Sequence, residues 1–420
     1  GQFGSIADVE AELGITNNLR DLFQEVAERN GRCTVVVDQL DNIRIETAAT
    51  VFQHLLLDLS EMDQVGVLCA CRRWDLEQPE YQGLNEASQF TQIELEPLNK
   101  TKVSSLLSEL GVSSEEQPPA LLELCQRLLN LALLADVITA DAAIDPNSLT
   151  TETALWDAYR KSLDTEGSGP SGTIPASWED SPVDRCVYHA RSSLRDRTTT
   201  FKIEKRNRGD ERLLSRRTIV EDWRRRYRFK HDQLQSYFYA WDAVCGDFSV
   251  ENVLEDNIDE RVAADVFDWM FRLYLSDASR STSFIRDGLG SDSDLGFYAK
   301  LILAESARDL GPEQLPDETA SALLDSLSAD QNLTREFYRD LSSPEWARYL
   351  TDNERVSEFG RHSAAYVSEL VEAHPELVLD ALATYDTPDR FQLRPYLSVV
   401  DSLPPTQLPR LTSLIVRFLT

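Results

Sequence analysis

The stretch Thr34-Val-Val-Val-Asp-Gln-Leu-Asp-Asn-Ile43 runs from three consecutive valines into two aspartates. With Cys33 it begins as a β-branched apolar run with no polar alternation. Continuous apolar strands belong to parallel sheets covered by helices on both faces. A second such run, Val65-Gly-Val-Leu-Cys-Ala-Cys71, ends at Arg72-Arg73. Between the two, Thr47 to Leu59 has helical periodicity. A third short strand is expected at Gln92-Ile-Glu-Leu95, just before Glu96-Pro97. This order predicts an α/β sheet with its ligand chemistry at the carboxyl ends of the strands. Upstream, Leu19, Leu22, Phe23, Val26 and Ala27 recur at helical spacing until Asn30-Gly31 stops the helix.

From Lys100 onward the strand signals fade. The periodicity predicts helices over Val103–Leu110, Ala120–Ala135, Leu149–Leu163 and Arg185–Leu194. Asp164 to Pro182 is rich in Gly and Pro and reads as a linker. Ile219–Val244 reads as helical, with a short strand pair around a basic stretch. After Gly246 the chain reads as helices joined by short Pro/Gly/Asp turns, clearest at Val367–Leu382 and Leu408–Leu419. Paired amphipathic helices without a strict repeat suggest an irregular α-solenoid.

The 420 residues carry 42 basic and 72 acidic side chains, a net charge of −30. Only 7 of the bases are Lys. Acids spread over the whole chain, with few long ammonium stems, read as adaptation to high salt, where charge repulsion is screened within ~3 Å at 1 M. One segment departs from this. Phe201 to His231 holds 12 bases and 5 acids, a local +7, which leaves −37 for the remainder. A hydrophobic content of 42% excludes wholesale disorder. No run of 18 apolar residues is present, so no transmembrane helix is expected. Cys33, Cys69, Cys71, Cys125, Cys186 and Cys245 are scattered without metal-ligand spacing, which reads as reduced thiols of a cytoplasmic protein.

At the tip of the first strand, Asp38 is placed to hold Mg²⁺ directly or through water, and Asp41, one turn on, to orient an attacking water. Aspartates are also common turn formers and helix caps, and both readings stand. Arg72 or Arg73, at the tip of the adjacent strand, can sense a terminal phosphate. A solvated strand end is the alternative.

Four pieces then occur in a recognisable order: VVVDQLDNI (35–43), VLCACRRW (67–74), IELEPLNKTKVSSLLSELG (93–111) and YRFKHDQLQSYFYA (227–240). Together they resemble the STAND-type P-loop NTPases, the branch of the AAA+ group that contains the NACHT and apoptotic-ATPase families. The resemblance spans about residues 15–245. It implies a Walker B strand with Asp38 as Mg²⁺ carboxylate and Asp41 as catalytic acid. It implies a sensor-1 strand with Arg73, or Arg72, at its tip. It also implies a winged-helix His231 that reaches the β-phosphate of bound ADP. The organisation it implies is a partial α/β NTPase core (1–97), a helical lid (98–163), a linker (164–182), a winged-helix-like domain (183–245) and an α-helical repeat region (246–420). Function would then be an ADP/ATP-gated switch in signal transduction or defence, using ATP and Mg²⁺. A protein or nucleic-acid trigger would act on the helical region, and activation would bring homo-oligomerisation.

Two features depart from the family. No G-x-x-x-x-G-K-[ST] occurs, and no Gly-Lys dipeptide at all. The first residue is Gly1 and the first methionine Met62, so the phosphate loop is expected upstream of Gly1. In the lid, Leu128 stands where the family carries a proline against adenine. The basic island, with Trp223, Tyr227 and Phe229 among its arginines, offers a nucleic-acid surface. Pairing with the acidic remainder and contact with nucleotide phosphates are the alternatives. An alternative function for the whole chain is a non-catalytic helical scaffold or a DNA-binding regulator that uses 201–231.

Overall fold

The computed structural model describes residues 5–384 except 17, 39, 41–45, 72–75, 77–80, 114–116, 141–143, 166–180, 223–224, 257, 259 and 340, together with residue 406. Among these the protein is mostly helical, with one parallel strand pair and one antiparallel hairpin. The chain divides into two compact units, Gly1–Asn99 and Lys100–Thr420.

The first unit runs α1 (Ile6–Leu13), α2 (Leu19–Asn30), β1 (Cys33–Val37), α3 (Glu46–Ser60), β2 (Val65–Cys69) and a single turn α4 (Gln82–Asn85). Ser5 caps α1 by accepting from the Asp8 amide, and Glu10 of α1 accepts from the Leu19 amide at 2.7 Å, which ties the first two helices together. Gly31, at φ 79°, ends α2 at the expected Asn-Gly and turns the chain into β1. Strands β1 and β2 are parallel, in register from Cys33↔Val65 to Val37↔Cys69. Helices cover one face of this pair. Ala27, Leu55, Leu59 and Val65 form a core against Val35 and Val67, and Leu40, Leu56 and Tyr81 form another against Val37 and Cys69. Each such fully buried aliphatic side chain contributes roughly 1.5–3 kcal/mol.

The other face departs from expectation. Val36 is 63% and Leu68 58% exposed, so the apolar run is covered on one side and not on both. The third expected strand, Gln92–Leu95, does not form. Residues 91–99 carry no secondary structure, and Ile93 and Leu95 are 77% and 90% exposed. Among the described residues β1 and β2 pair only with each other, and residues 91–99 add to neither of their outer edges.

The second unit opens with α5 (Lys100–Glu109), α6 (Pro119–Leu124) and α7 (Leu128–Ala140). The single helix expected over Ala120–Ala135 breaks at Cys125–Arg127. Buried Asn130 turns its amide back onto the Leu124 carbonyl at 3.2 Å and satisfies the end of α6. There follow α8 (Glu152–Thr165), α9 (Pro182–Arg195), α10 (Arg208–Ser215), β3 (Ile219–Glu221), β4 (Tyr227–Phe229) and α11 (Asp232–Cys245). The hairpin lies where a strand pair was expected. Phe201 extends it through a backbone bridge to Tyr227. Trp156 of α8, Tyr237 of α11 and Trp269 of the later α13 meet with ring centroids 4.5–5.2 Å apart.

The remaining elements are α12 (Val250–Glu255), α13 (Glu260–Tyr274), α14 (Ala278–Leu289), α15 (Phe297–Leu310), α16 (Asp317–Ala329), α17 (Gln331–Tyr338), α18 (Pro344–Asp352), α19 (Gly360–Glu369) and α20 (Pro375–Thr384). Helices pack chiefly on the one two ahead: α11 on α13, α13 on α15, α15 on α17 and α17 on α19 make one layer, and α14 on α16 and α18 on α20 lie in the other. The helix expected over Val367–Leu382 is two helices, because Pro375 restricts the residue before it and opens a new helix. Leu408–Leu419 lies outside the described residues, and most of the 164–182 linker does too.

Candidate functional site

In the first unit the chain beyond β1 is fixed at two points. The Ala70 amide donates to the Val37 carbonyl at 2.9 Å, and the Leu40 amide donates to the Ala70 carbonyl at 2.8 Å. The buried Tyr81 hydroxyl also donates to the Leu40 carbonyl at 2.9 Å. Asp38 lies between these anchors, exposed, at the carboxyl end of a parallel strand. Among the described residues its carboxylate has no hydrogen-bond or ion-pair partner. Asp41, Arg72 and Arg73, expected beside it, lie outside the described residues. Mg²⁺ takes one or two protein carboxylates and keeps its waters, and an open Asp38 fits that role. Nucleotide phosphates need a backbone cradle, which this sequence does not contain.

His231 lies in the second unit, immediately after β4. The Lys230 amide donates to the Thr218 carbonyl at 2.9 Å, and the Lys230 ammonium lies 3.6 Å from Asp136. His231 is the first residue before α11 and does not cap it with its side chain. Its Nε2 is buried and has no hydrogen-bond partner among the described residues. Burial, and then the Lys230 charge, push its pKa down, and Asp136 and Asp232 oppose this. The ring is therefore neutral at pH 7, with a desolvated nitrogen available to a ligand.

Sequence reading missed a buried charged group nearby. His189 of α9 and Asp210 of α10 are both buried, with Nε2 of His189 2.8 Å from Oδ1 of Asp210. Arg185 Nε donates to the same oxygen at 2.9 Å, and the Asn207 amide donates to the other oxygen at 3.2 Å. The His189 ring stacks on Phe201 with centroids 4.2 Å apart. Burial raises the Asp210 carboxyl, but the hydrogen bonds from His189, Arg185 and the Asn207 backbone outweigh it and hold it below its ordinary value. Burial lowers His189 against the opposing pull of Asp210. The Asn207/Asp210 capping box was legible as an Asx-x-x-Asp spacing. Its partner on another helix, 21 residues away, left no local signal.

A groove of about 1020 Å³ opens elsewhere in the second unit, between the start of α8, the ends of α13 and α15, and the start of α18. On its wall Arg272 bridges Asp268 at 2.9 Å and Glu152 at 3.3 Å. Leu128, 68% exposed, begins α7 and is not among the residues that line this groove.

The basic island is only partly neutralised. Arg206 pairs with Glu221 at 2.8 Å and also meets the Tyr227 hydroxyl, and Arg216 donates to the Ser162 carbonyl at 2.6 Å. Pairing with the acidic remainder is seen for Lys230, which meets Asp136, whereas Arg206 pairs with an acid inside the island and Arg216 with a backbone carbonyl. The six cysteines are free thiols, and among the described residues no group of three metal-ligating side chains is present. No described helix is long and apolar enough to cross a membrane. Compared with known proteins, the chain matches no family model and no curated sequence.

Proposed function

We propose that this chain is the switch portion of a STAND-like signal-transduction or defence NTPase, in which ADP holds a closed state and ATP an open one. The observation that carries the reading is the open Asp38 carboxylate at the carboxyl end of a parallel β-α-β unit, where α/β sheets bind their ligands. In this reading Asp38 holds Mg²⁺, with Asp41 as catalytic acid and Arg73 or Arg72 as phosphate sensor. The buried, unpartnered Nε2 of His231 suits a residue that accepts or donates one hydrogen bond when nucleotide is present. ATP, ADP and Mg²⁺ are the cofactors, and the stacked helices of the second unit receive the trigger. Homo-oligomerisation accompanies activation.

The test is titration with Mg·ATP. The 420-residue sequence, without a phosphate cradle, binds it no tighter than the millimolar range. Joined to a strand–loop–helix that carries G-x-x-x-x-G-K-[ST], it hydrolyses ATP, and Asp38→Ala lowers kcat by roughly 10²-fold or more, the scale of removing one electrostatic stabiliser of phosphoryl transfer. Micromolar binding with turnover by the sequence alone, or full hydrolysis by the joined Asp38→Ala protein, overturns the proposal.

A further inference from the structure

The hairpin β3–β4 and the segment before it carry bases that the fold leaves unneutralised. Lys202, Lys205, Arg208, Arg225, Arg226 and Arg228 are all exposed, and among the described residues none of these side chains has a hydrogen-bond or ion-pair partner. Elsewhere Arg195, Arg272, Arg280, Arg308 and Arg355 each lie within 3.0 Å of a carboxylate. Other exposed bases such as Arg20, Arg32, Arg286 and Arg348 also stand without such a partner among the described residues, but they are dispersed, whereas these six fall between positions 202 and 228.

The register brings the bases together. Tyr227 and Phe229 point inward, so Arg228 between them points outward, opposite Val220. The antiparallel bridge Phe201↔Tyr227 sets Lys202 across from Arg226. Like charges directly opposite on neighbouring strands destabilise a sheet. The Arg206–Glu221 pair ties the segment before α10 to the end of β3. Arg208 occupies the first turn of α10, where the helix dipole disfavours a cation. Arg225 is held in the left-handed region at φ 60°, in a turn closed by Asp222 accepting from the Arg226 amide at 2.8 Å. The Lys202–Arg226 juxtaposition and the cation at the start of α10 are electrostatically unfavourable in the free protein, and bound anions relieve both.

We propose that this surface binds the phosphodiester backbone of nucleic acid, without sequence preference, through Lys202, Lys205, Arg208, Arg225, Arg226 and Arg228. Spaced single cations on a strand, a turn and a helix start match successive phosphates of a backbone. The proposal is independent of nucleotide binding at Asp38 or His231.

The experiment is fluorescence anisotropy of the full chain with labelled 24-base-pair DNA and RNA duplexes, across the KCl range in which circular dichroism shows native helix content. With about six phosphates neutralised, log K falls with log [KCl] at a slope of about −5, which is roughly 1,000-fold in affinity for a fourfold rise in salt. Lys202→Gln/Arg226→Gln/Arg228→Gln brings the slope to about −3 while keeping the native circular dichroism. Arg29→Gln/Arg127→Gln, which removes two bases from other surfaces, leaves the slope unchanged. Native slopes on both duplexes support a backbone reader, and so does binding to only one of them. No binding anywhere in that range overturns the proposal, and so does a slope that the triple variant does not move. Displacement by poly-glutamate as effective as by duplex at equal charge overturns it in favour of an acidic protein partner.

Discussion

Asp210 shows how one carboxylate can hold two side chains and a helix start. It receives His189 and Arg185 on one oxygen and its own helix start on the other, in a site closed to water. Asp210→Asn removes the charge and leaves a guanidinium and an imidazole facing a neutral amide. Breaking a buried pair from one side costs about 3 kcal/mol or more, which denaturant unfolding will read directly. The pH dependence has a definite sign. His189 and His231 both have lowered values in the folded protein, so the unfolded chain takes up protons first as pH falls below about 6.5. Their contribution is therefore present above that pH and is lost as the medium acidifies towards their folded values. Unfolding free energy measured from pH 7.5 to pH 5 falls, and His189→Gln flattens the fall. An unchanged slope in that variant would remove His189 from the account.

At the scale of elements, the valine run and the glycine after α2 were legible in sequence because β-branching and left-handed backbone are local properties. The Pro375 break was equally local and went unread. The α6–α7 break was not legible, because it depends on Asn130 reaching back to Leu124. The strand expected at Gln92–Leu95 was misread because a short β-prone run does not fix whether its backbone pairs with a sheet. Of the candidate site, Asp38 follows β1 directly, while His231 precedes α11 instead of lying on it as the motif suggested. The His189–Asp210–Arg185 group was invisible, since three residues on two helices meet only through packing. The bare face of β1 and β2 makes a prediction at this scale. Val36→Lys/Leu68→Lys changes the stability of the chain by no more than about 0.5 kcal/mol, as for surface positions, and reduces its self-association in sedimentation velocity. A loss of several kcal/mol would mean that the face is covered in solution.

For the whole molecule, charge sets how stability responds to salt. A background of −37 around a +7 island repels itself at low ionic strength and relaxes as the Debye length contracts. The thermal midpoint therefore rises from about 0.1 M to about 2 M KCl, where the Debye length is below ~3 Å. A midpoint that falls with KCl would end the salt-adaptation reading. The two-layer stack from α11 to α20 has a different consequence. Each helix leans mainly on the second one along, so no single centre holds the array. Tension applied along such a stack is met locally: it extends elastically, releases one helix pair at a time, and recovers in the reverse order, so a pull on its far end reaches α11 as a graded force.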